Sequence, residues 1–348
     1  MRQIMKLFIT SFLFILFSGC TKDVYDPSDK IPGEGTNPFS KVTISSNFDW
    51  SMIQISHLTV QSFDPYDGTY NYLVEVFDKS PEDQDANLLA TGVCSKKTLF
   101  DKKIIYPKGE SDQVYIQLTT PTGYQVTAPV TLTPGNDNVC AFDSLAVSQE
   151  TTATPVSRTP TRSVSSTYTF IIEDSFPNYG DYDFNDVVLK VTDGEDNYHF
   201  NVYLAAAGGT LPVKVELWNN LNQKYITLWE EIHSAFGVSQ STMVNTGGAS
   251  QITLPKKEKL YKDYFEGMLY SNAKFRITVG NEDKRISEII SAPKKGVAPQ
   301  CLRIAGDWKW PIERANITEA YPNFASWAQG NTGTGWVNNP NTEMIYSK

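Results

Sequence analysis

The chain of 348 residues carries 30 Lys and Arg against 39 Asp and Glu, a formal net charge of -9. A surface of this sign repels phosphate, and the cations are scattered or form only short clusters, so the composition excludes nucleic acid as a partner class. The length exceeds that of a usual single core and predicts two packed domains with tethers. The 40% hydrophobic content and the 18 Tyr and 18 Phe residues suit half-buried strands, which predicts an all-β fold.

Residues 1–19 have the pattern of a signal peptide. Two cationic residues precede an apolar run over residues 7–17, which is too short to span a bilayer as a helix. The string over residues 16–20 resembles a bacterial lipobox, which implies cleavage before Cys20 and acyl chains on that cysteine. Several chains give a firm membrane anchor, whereas a single chain binds only marginally. An ordinary signal peptide that happens to end near a cysteine is the alternative.

Residues 20–40 form the predicted lipidated tether. Prolines and glycines recur through residues 24–38, a composition that keeps the chain extended and lifts a folded part off the membrane. The tripeptide Thr21-Lys22-Asp23 resembles the short Lys/acid export signal of Bacteroidetes surface lipoproteins. That resemblance implies anchoring in the bacterial outer membrane, with the folded part facing the cell exterior.

Residues 41–145 are predicted to form an immunoglobulin-like β-sandwich. Apolar and polar residues alternate with period 2 over residues 53–55, 70–76 and 114–118, as expected of strands with one buried face. A turn-forming stretch over residues 64–68 separates two of these runs. Short strands of this kind pack as two sheets in immunoglobulin-like domains.

The cysteines that remain after lipidation of Cys20 are Cys94, Cys140 and Cys301, an odd number that allows at most one disulfide within the chain. Cys94 and Cys140 are a plausible pair because both fall in the same predicted domain. Two buried free thiols are an equally good interpretation. The sequence leaves this choice open.

Residues 146–166 are rich in Ser and Thr and contain two prolines, a composition that builds no core and indicates a linker. Residues 167–348 return to strand patterns and are predicted to form a second β-sandwich-like domain with a few short helices. A helix is expected within residues 260–269, where apolar residues recur at helical spacing. Asn316 should cap one helical turn, and a second short helix should begin near Pro322.

The most informative stretch is an acidic loop between two predicted strands, over residues 172–189. In a loop of near-extended residues every second side chain points the same way. The side-chain oxygens of Asp181, Asp183 and Asn185 can therefore converge, while Tyr182 and Phe184 turn towards the core. The candidate metal ligands are Glu173, Asp174, Asp181, Asp183, Asn185 and Asp186.

Calcium is the cofactor that this loop predicts. Carboxylates this close repel one another unless a cation intervenes, and calcium takes six to eight hard oxygen ligands in flexible geometry. Magnesium demands an octahedron and keeps several waters, and zinc would require the His or Cys that the loop lacks. The loop is not an EF-hand, because Asp186 stands in place of the required glycine and Thr192 in place of the bidentate Glu. A solvated acidic turn without a metal is the alternative.

The acidic string resembles the hallmark of the LruC-domain (DUF4842-like) lipoproteins of Bacteroidetes. Further matching motifs lie, in order, at residues 232–238, 244–246, 306–313 and 320–324. The likeness covers about residues 166 to 330, whereas the N-terminal sandwich shares only a loose architectural likeness. The family implies a β-rich surface domain for which adhesion is often suspected, and it supplies no catalytic residues to carry over.

Six of the seven tryptophans lie after residue 200. Most of them should belong to the core, because a Trp buries a large area. Trp336, which follows a Gly-Thr-Gly string, is the one we expect to be exposed, and it is the candidate ligand-binding residue. None of the three histidines forms a metal pair or lies near a nucleophile turn, so we expect no catalytic residues and no enzyme.

These observations predict a non-catalytic surface lipoprotein whose calcium-stabilised β-sandwich serves adhesion or surface interaction. Its expected partners are the membrane, through the lipid anchor, and a host or microbial surface protein or glycan. The alternative is a glycan-binding lipoprotein of a polysaccharide-capture system, motivated by the anchor and the aromatic C-terminal domain.

Overall fold

The computed structural model describes residues 42–84, 86–108, 112–147, 153–161, 167–175, 180–196, 198–248, 252–266, 272–280, 285–288, 298–331 and 335–346. The signal peptide, Cys20 and the tether therefore lie outside the described residues. The described part is built mainly of β-sheets with a few short helices, which confirms the predicted all-β, sandwich-like fold.

Seven strands form the N-terminal sandwich. They are β1 (Ile53–Ser62), β2 (Tyr72–Phe77), β3 (Leu88–Cys94), β4 (Phe100–Pro107), β5 (Gln113–Thr119), β6 (Gln125–Thr131) and β7 (Asp137–Phe142). One sheet has the order β4-β1-β7 and the other β3-β2-β5-β6. Every second residue of β5 is buried, and Leu58, Val74 and Ile116 meet between the sheets in one apolar cluster. The period-2 pattern of the sequence thus marks the inward faces.

In the second domain, the described residues form ten strands. They are β8 (Tyr168–Ile172), β9 (Val187–Asp193), β10 (His199–Ala207), β11 (Val213–Asn219), β12 (Lys224–Trp229), β13 (Val244–Asn245), β14 (Lys256–Tyr261), β15 (Phe275–Val279), β16 (Arg285–Glu288) and β17 (Cys301–Ala305). The larger sheet has the order β13-β10-β9-β8-β17 with β14 also paired to β10, and the smaller has the order β12-β11-β15-β16.

Strand β8 is buried on both faces because the larger sheet is the middle of three layers. Phe170 points to the smaller sheet, where its ring centroid lies 5.0 Å from that of Phe275. The next residue, Ile171, points the other way into a second apolar cluster, which includes Trp308 and Tyr321. We call this second group of side chains the aromatic cluster. It covers the face of the sheet that would otherwise be exposed.

Four short α-helices complete the described chain. They are α1 (Ser144–Val147), α2 (Ile232–Phe236), α3 (Ile317–Ala320) and α4 (Phe324–Ala328). Asn316 Oδ1 accepts a hydrogen bond from Thr318 N at 2.9 Å, so the predicted cap and the predicted pair of short helices are confirmed. Within the described ranges no helix is long and apolar enough to cross a bilayer.

The helix expected within residues 260–269 is wrong for the residues described there. Leu260 belongs to β14 and pairs with Phe200 of β10, and a 3₁₀ turn follows over Lys262–Tyr264. Leu260 and Phe265 both reach the core between the sheets. Leu260, from the strand, and Phe265, from the end of the turn, both face the core, and their spacing in the sequence resembles that of one face of a helix.

Residues 42–52 pack on the second domain, although the sequence grouped them with the first. The ring of Trp50 stacks on Phe324 at a centroid distance of 6.0 Å, and Phe48 meets Trp327 edge-on at 4.8 Å. Met52 also belongs to the aromatic cluster. Residues 42–52 thus cover one side of the aromatic cluster before the chain enters β1.

Residues 153–161 of the predicted linker lie along the N-terminal sandwich. Val156 N donates to Pro121 O at 3.1 Å, and Arg158 N donates to Asn71 O at 2.9 Å. The Arg158 guanidinium also donates to the carbonyls of Thr120 and Pro121, at 3.0 and 2.9 Å. This part of the linker is attached to the sandwich and does not act as a free spacer.

Cys94, Cys140 and Cys301 are buried free thiols, so Cys94 and Cys140 are not bridged. Burial raises the pKa of Cys140 to about 11 and, together with the nearby Asp64 carboxylate, that of Cys94 to about 12. Thiols that hold their protons in this way are poor nucleophiles at neutral pH. We assign them to the core.

Candidate metal centre

The acidic loop connects two paired strands. β8 ends at Ile172, β9 begins at Val187, and these two residues are partners in the sheet. Residues 176–179 of the loop lie outside the described ranges. All six predicted ligands fall within the described part of the loop, close to the end of this strand pair.

Glu173 organises the loop backbone. Its Oε1 accepts a hydrogen bond from Phe184 N at 2.6 Å, and its Oε2 accepts one from Tyr182 N at 3.3 Å. To present these donors, Tyr182 and Phe184 adopt the left-handed conformation, with φ of 60° and 54°. The near-extended loop expected from the sequence is therefore wrong, although both rings are buried in the aromatic cluster as predicted.

Glu173, Asp181 and Asp183 form the candidate metal centre. Each offers one carboxylate oxygen, and the three oxygens lie within 4.8 Å of one another. Glu173 and Asp183 are buried, and Asp181 is half-buried. An ion of the size of Ca²⁺ with ligands at 2.3–2.6 Å fits between oxygens at this spacing.

The C-terminal segment holds the centre in place. Arg314 N donates to Asp183 Oδ2 at 2.6 Å, and Asn185 Nδ2 donates to the same oxygen at 2.7 Å. Asn316 Nδ2 donates to the backbone carbonyl of Asp181 at 2.9 Å, and Ile317 N donates to that of Tyr182 at 2.8 Å. Residue type carries no signal for this role of Arg314, because its backbone N–H, and not its side chain, donates to Asp183.

Burial raises the pKa of Glu173 and of Asp183 well above the usual carboxylate range, and repulsion from Asp181 adds to both shifts. Burial also raises the pKa of Asp181, although backbone hydrogen bonds and the Arg314 charge act in the opposite direction. These shifts report an electrostatic cost that a bound divalent cation would relieve. The geometry and the charges thus favour the same occupant.

The raised pKa values give the calcium-free protein an unusual pH dependence. These carboxyls bind protons more tightly in the folded chain, so their stabilisation is complete below their ordinary pKa values of 3.8 and 4.5 and is lost as pH rises through the raised folded values. In chelator we expect a higher melting temperature at about pH 5 than at about pH 8 by scanning calorimetry. Asp183→Asn should reduce the difference, and a higher melting temperature at the alkaline pH would contradict the assignment.

The other three predicted ligands lie on a different side of the loop. Asp186 Oδ2 accepts a hydrogen bond from Asp174 N at 2.8 Å, and the side chains of Asp174, Asn185 and Asp186 face Gly208 and Gly209, just after β10. The structure therefore divides the six predicted ligands into two groups of three. Sequence reasoning missed both glycines, whose adjacency after a strand is the signal of a turn.

Trp336 is buried, so its predicted exposure is wrong. Only 2% of the residue is accessible, and its ring packs edge-on against Phe324 at 4.9 Å and Tyr321 at 5.5 Å. Gly335, with φ of 52°, turns the chain inward so that the 3₁₀ turn Trp336–Asn338 enters the aromatic cluster. A ring in this position offers no surface to a sugar.

The segment that contacts the candidate metal centre overlaps the part of the chain that matches a family model. Residues 281–336 match the family DUF4842, a domain of unknown function. The DUF4842 match takes in β17, α3, α4, Arg314 and Trp336, and so includes much of the layer that packs on Tyr182 and Phe184. The acidic loop itself precedes the match. No curated protein matches the chain.

Proposed function

We propose that the protein is a non-catalytic surface lipoprotein whose second domain is stabilised by calcium and serves adhesion or surface interaction. The observation that carries the proposal is the convergence of Glu173, Asp181 and Asp183 within 4.8 Å, two of them buried. A hard divalent cation would neutralise the repulsion between carboxylates in that setting. The group contains no nitrogen or sulfur ligand that would favour zinc.

The role of the ion in this proposal is structural. The centre ties the acidic loop to Arg314 and Asn316, so binding at the loop also holds the segment before α3 against the larger sheet. The pKa shifts of Glu173 and Asp183 mean that, without an ion, burial and mutual repulsion oppose this arrangement. Calcium would therefore fix the shape of the surface that a partner meets.

The lipobox-like string before Cys20 supports anchoring in the outer membrane, and the Lys/acid tripeptide after it supports display at the cell exterior. The DUF4842 match is compatible with the more specific proposal that the chain is an LruC-domain lipoprotein of the Bacteroidetes type. The ordered motifs at residues 232–238 and 306–313 support it. Its partner would be a surface protein or glycan of a host or another microbe.

Glycan capture remains the second proposal, but Trp336, its candidate ligand-binding residue, is buried. Trp336 lies in the aromatic cluster and cannot stack on a sugar without unfolding its surroundings. Adhesion through a calcium-fixed surface depends on no single exposed ring. We therefore favour adhesion.

Calcium addition to the full chain, first stripped with chelator, is expected to raise the melting temperature. A ligand at 100 times its dissociation constant stabilises the folded state by about 2.7 kcal/mol. Titration calorimetry should show saturable binding, and scanning calorimetry the shift. Magnesium at the same concentration is the control and should give a smaller shift. Absence of binding heat, together with a melting temperature that chelation leaves unchanged, would overturn the proposal.

A further inference from the structure

The group formed by Asp174, Asn185 and Asp186 has the features of a binding position of its own. Asp174 Oδ2 and Asp186 Oδ1 lie 2.4 Å and 3.0 Å from one point, the position that a Cβ on Gly209 would occupy. That point lies within bonding distance of the Gly209 α-carbon, so it marks the side of the turn that both oxygens approach and is not itself the position of an ion. The two carboxylates therefore converge on the same small volume from different parts of the loop.

Asn185 adds a third oxygen on this side. The residue is fully buried, and its Nδ2 donates to Asp183 Oδ2 at 2.7 Å, which fixes the orientation of the amide. Its Oδ1 is thereby directed away from Asp183, to within 2.2 Å of the Cβ position of Gly208. This oxygen is buried with no hydrogen-bond partner among the described residues. A buried amide oxygen without a donor is costly unless a ligand satisfies it.

Two glycines allow the oxygens of Asp174, Asn185 and Asp186 to approach the backbone of the turn closely. Neither Gly208 nor Gly209 has a left-handed backbone, so backbone conformation does not require glycine at either position. A Cβ at Gly208 would collide with Asn185, and one at Gly209 with Asp174. A side chain at either glycine would therefore displace the oxygen of Asn185 or of Asp174 that lies against it.

A buried histidine also fixes the position of the Gly209 backbone. His233 is fully buried in α2, its Nε2 lies 2.9 Å from the Gly209 carbonyl oxygen, and its Nδ1 lies 2.6 Å from Glu231 Oε1. Gly208 N donates to the carbonyls of Asn185 and Asp186, at 3.2 and 3.0 Å. The turn and the acidic loop are therefore fixed relative to each other.

The charges of the whole loop favour two cations. Glu173, Asp181 and Asp183 contribute three negative charges, and Asp174 and Asp186 contribute two more. One divalent ion would leave a charge of minus three on these five side chains, whereas two ions would leave minus one. The nearby Arg314 and Glu313, whose charged groups lie 3.9 Å apart, offset each other. Burial and the repulsion from Asp174 and Glu173 raise the pKa of Asp186, so the two groups affect each other electrostatically.

We propose that Asp174, Asn185 and Asp186 bind a second divalent cation, of the calcium class, against Gly208 and Gly209. The inference rests on the proposed function, because it assumes that the loop is a calcium centre. It adds that the loop holds a pair of ions, of which the second joins the β8–β9 loop to the turn after β10. The acidic loop would then be secured on one side by the segment before α3 and on the other by that turn.

Native mass spectrometry and titration calorimetry of the full chain with calcium alone test this inference. The wild-type chain should bind two ions, Asp174→Asn should bind one, and Asp181→Asn should also retain one, at the other position. Gly209→Ala should weaken the same ion as Asp174→Asn by about 10–100-fold, the loss typical of changes around a metal site. Circular dichroism should show that each variant is folded, and Asp174→Asn preserves side-chain shape if the alanine variant does not fold.

The outcomes separate the two proposals. A wild-type chain that binds one ion, with a stoichiometry that Asp174→Asn and Gly209→Ala leave unchanged, would overturn the second position and leave the first intact. A wild-type chain that binds no calcium would overturn both. Two ions in the wild type that both persist in Asp174→Asn would place the second one elsewhere and refute the assignment.

Discussion

Replacing Asp183 by Asn is expected to have opposite effects on stability with and without calcium. In saturating calcium the variant loses a buried anionic ligand, and the free energy of unfolding should fall by about 3–5 kcal/mol, as when one partner of a buried ion pair is removed. In chelator the same change removes a buried charge that burial and the Asp181 and Glu173 carboxylates oppose, so the free energy of unfolding should rise.

Asn is a suitable replacement because its amide oxygen can still accept the hydrogen bonds from Arg314 N and Asn185 Nδ2. Urea denaturation monitored by tryptophan fluorescence, in calcium and in chelator, gives both free energies. The control is Glu343→Gln, whose side chain is exposed in the same domain and should change little in either condition. Destabilisation of the Asp183 variant by the same amount in both conditions would mean that the carboxylate has only a structural role.

Replacing Trp336 by Ala is expected to destabilise the protein by about 3–5 kcal/mol, the usual cost of removing a buried aromatic ring. The ring contacts Phe324, Tyr321 and Trp308 in the aromatic cluster, and its loss leaves a cavity that this rigid group cannot fill. Chemical denaturation in the presence of calcium measures the effect.

Trp336→Phe is the matched variant and should be much milder. The indole Nε1 of Trp336 has no hydrogen-bond partner among the described residues, so Phe removes no polar contact. Tyr198→Ala, at a side chain in the same domain that is 73% exposed, should stay within about 0.5 kcal/mol of wild type. A Trp336→Ala variant of unchanged stability that loses binding to a glycan would instead restore the glycan-capture interpretation.

The strands were predictable because their signal is local. The apolar runs over residues 168–172 and 187–191 predict strands, and the structure places these residues in β8 and β9, at the centre of the three layers. The loop between them was recognised as acidic for the same reason. The residue types predict a cation there, because closely spaced carboxylates repel one another, with a solvated acidic turn as the alternative.

What the sequence could not predict depends on contacts between distant segments. Trp336 looked exposed because a Gly-Thr-Gly string precedes it, but Gly335 turns it into a cluster that also gathers side chains from segments as distant as Trp50 and Ile171. The division of the loop into two groups depends on Gly208 and Gly209, which approach it only through the pairing of β9 with β10. The left-handed backbone at Tyr182 and Phe184 likewise follows from the reach of Glu173.

The packing of residues 42–52 on the aromatic cluster has a mechanical consequence. A pulling force applied to the chain upstream of Val42 acts on residues 42–52 before it acts on β1. In this segment the ring of Phe48 packs against Trp327, and that of Trp50 against Phe324. Tension would therefore enter the molecule through the domain that carries the acidic loop. The N-terminal sandwich would bear the force only after these ring contacts had broken. The resistance of the whole protein to force would therefore depend on how firmly the acidic loop holds the aromatic cluster against the larger sheet.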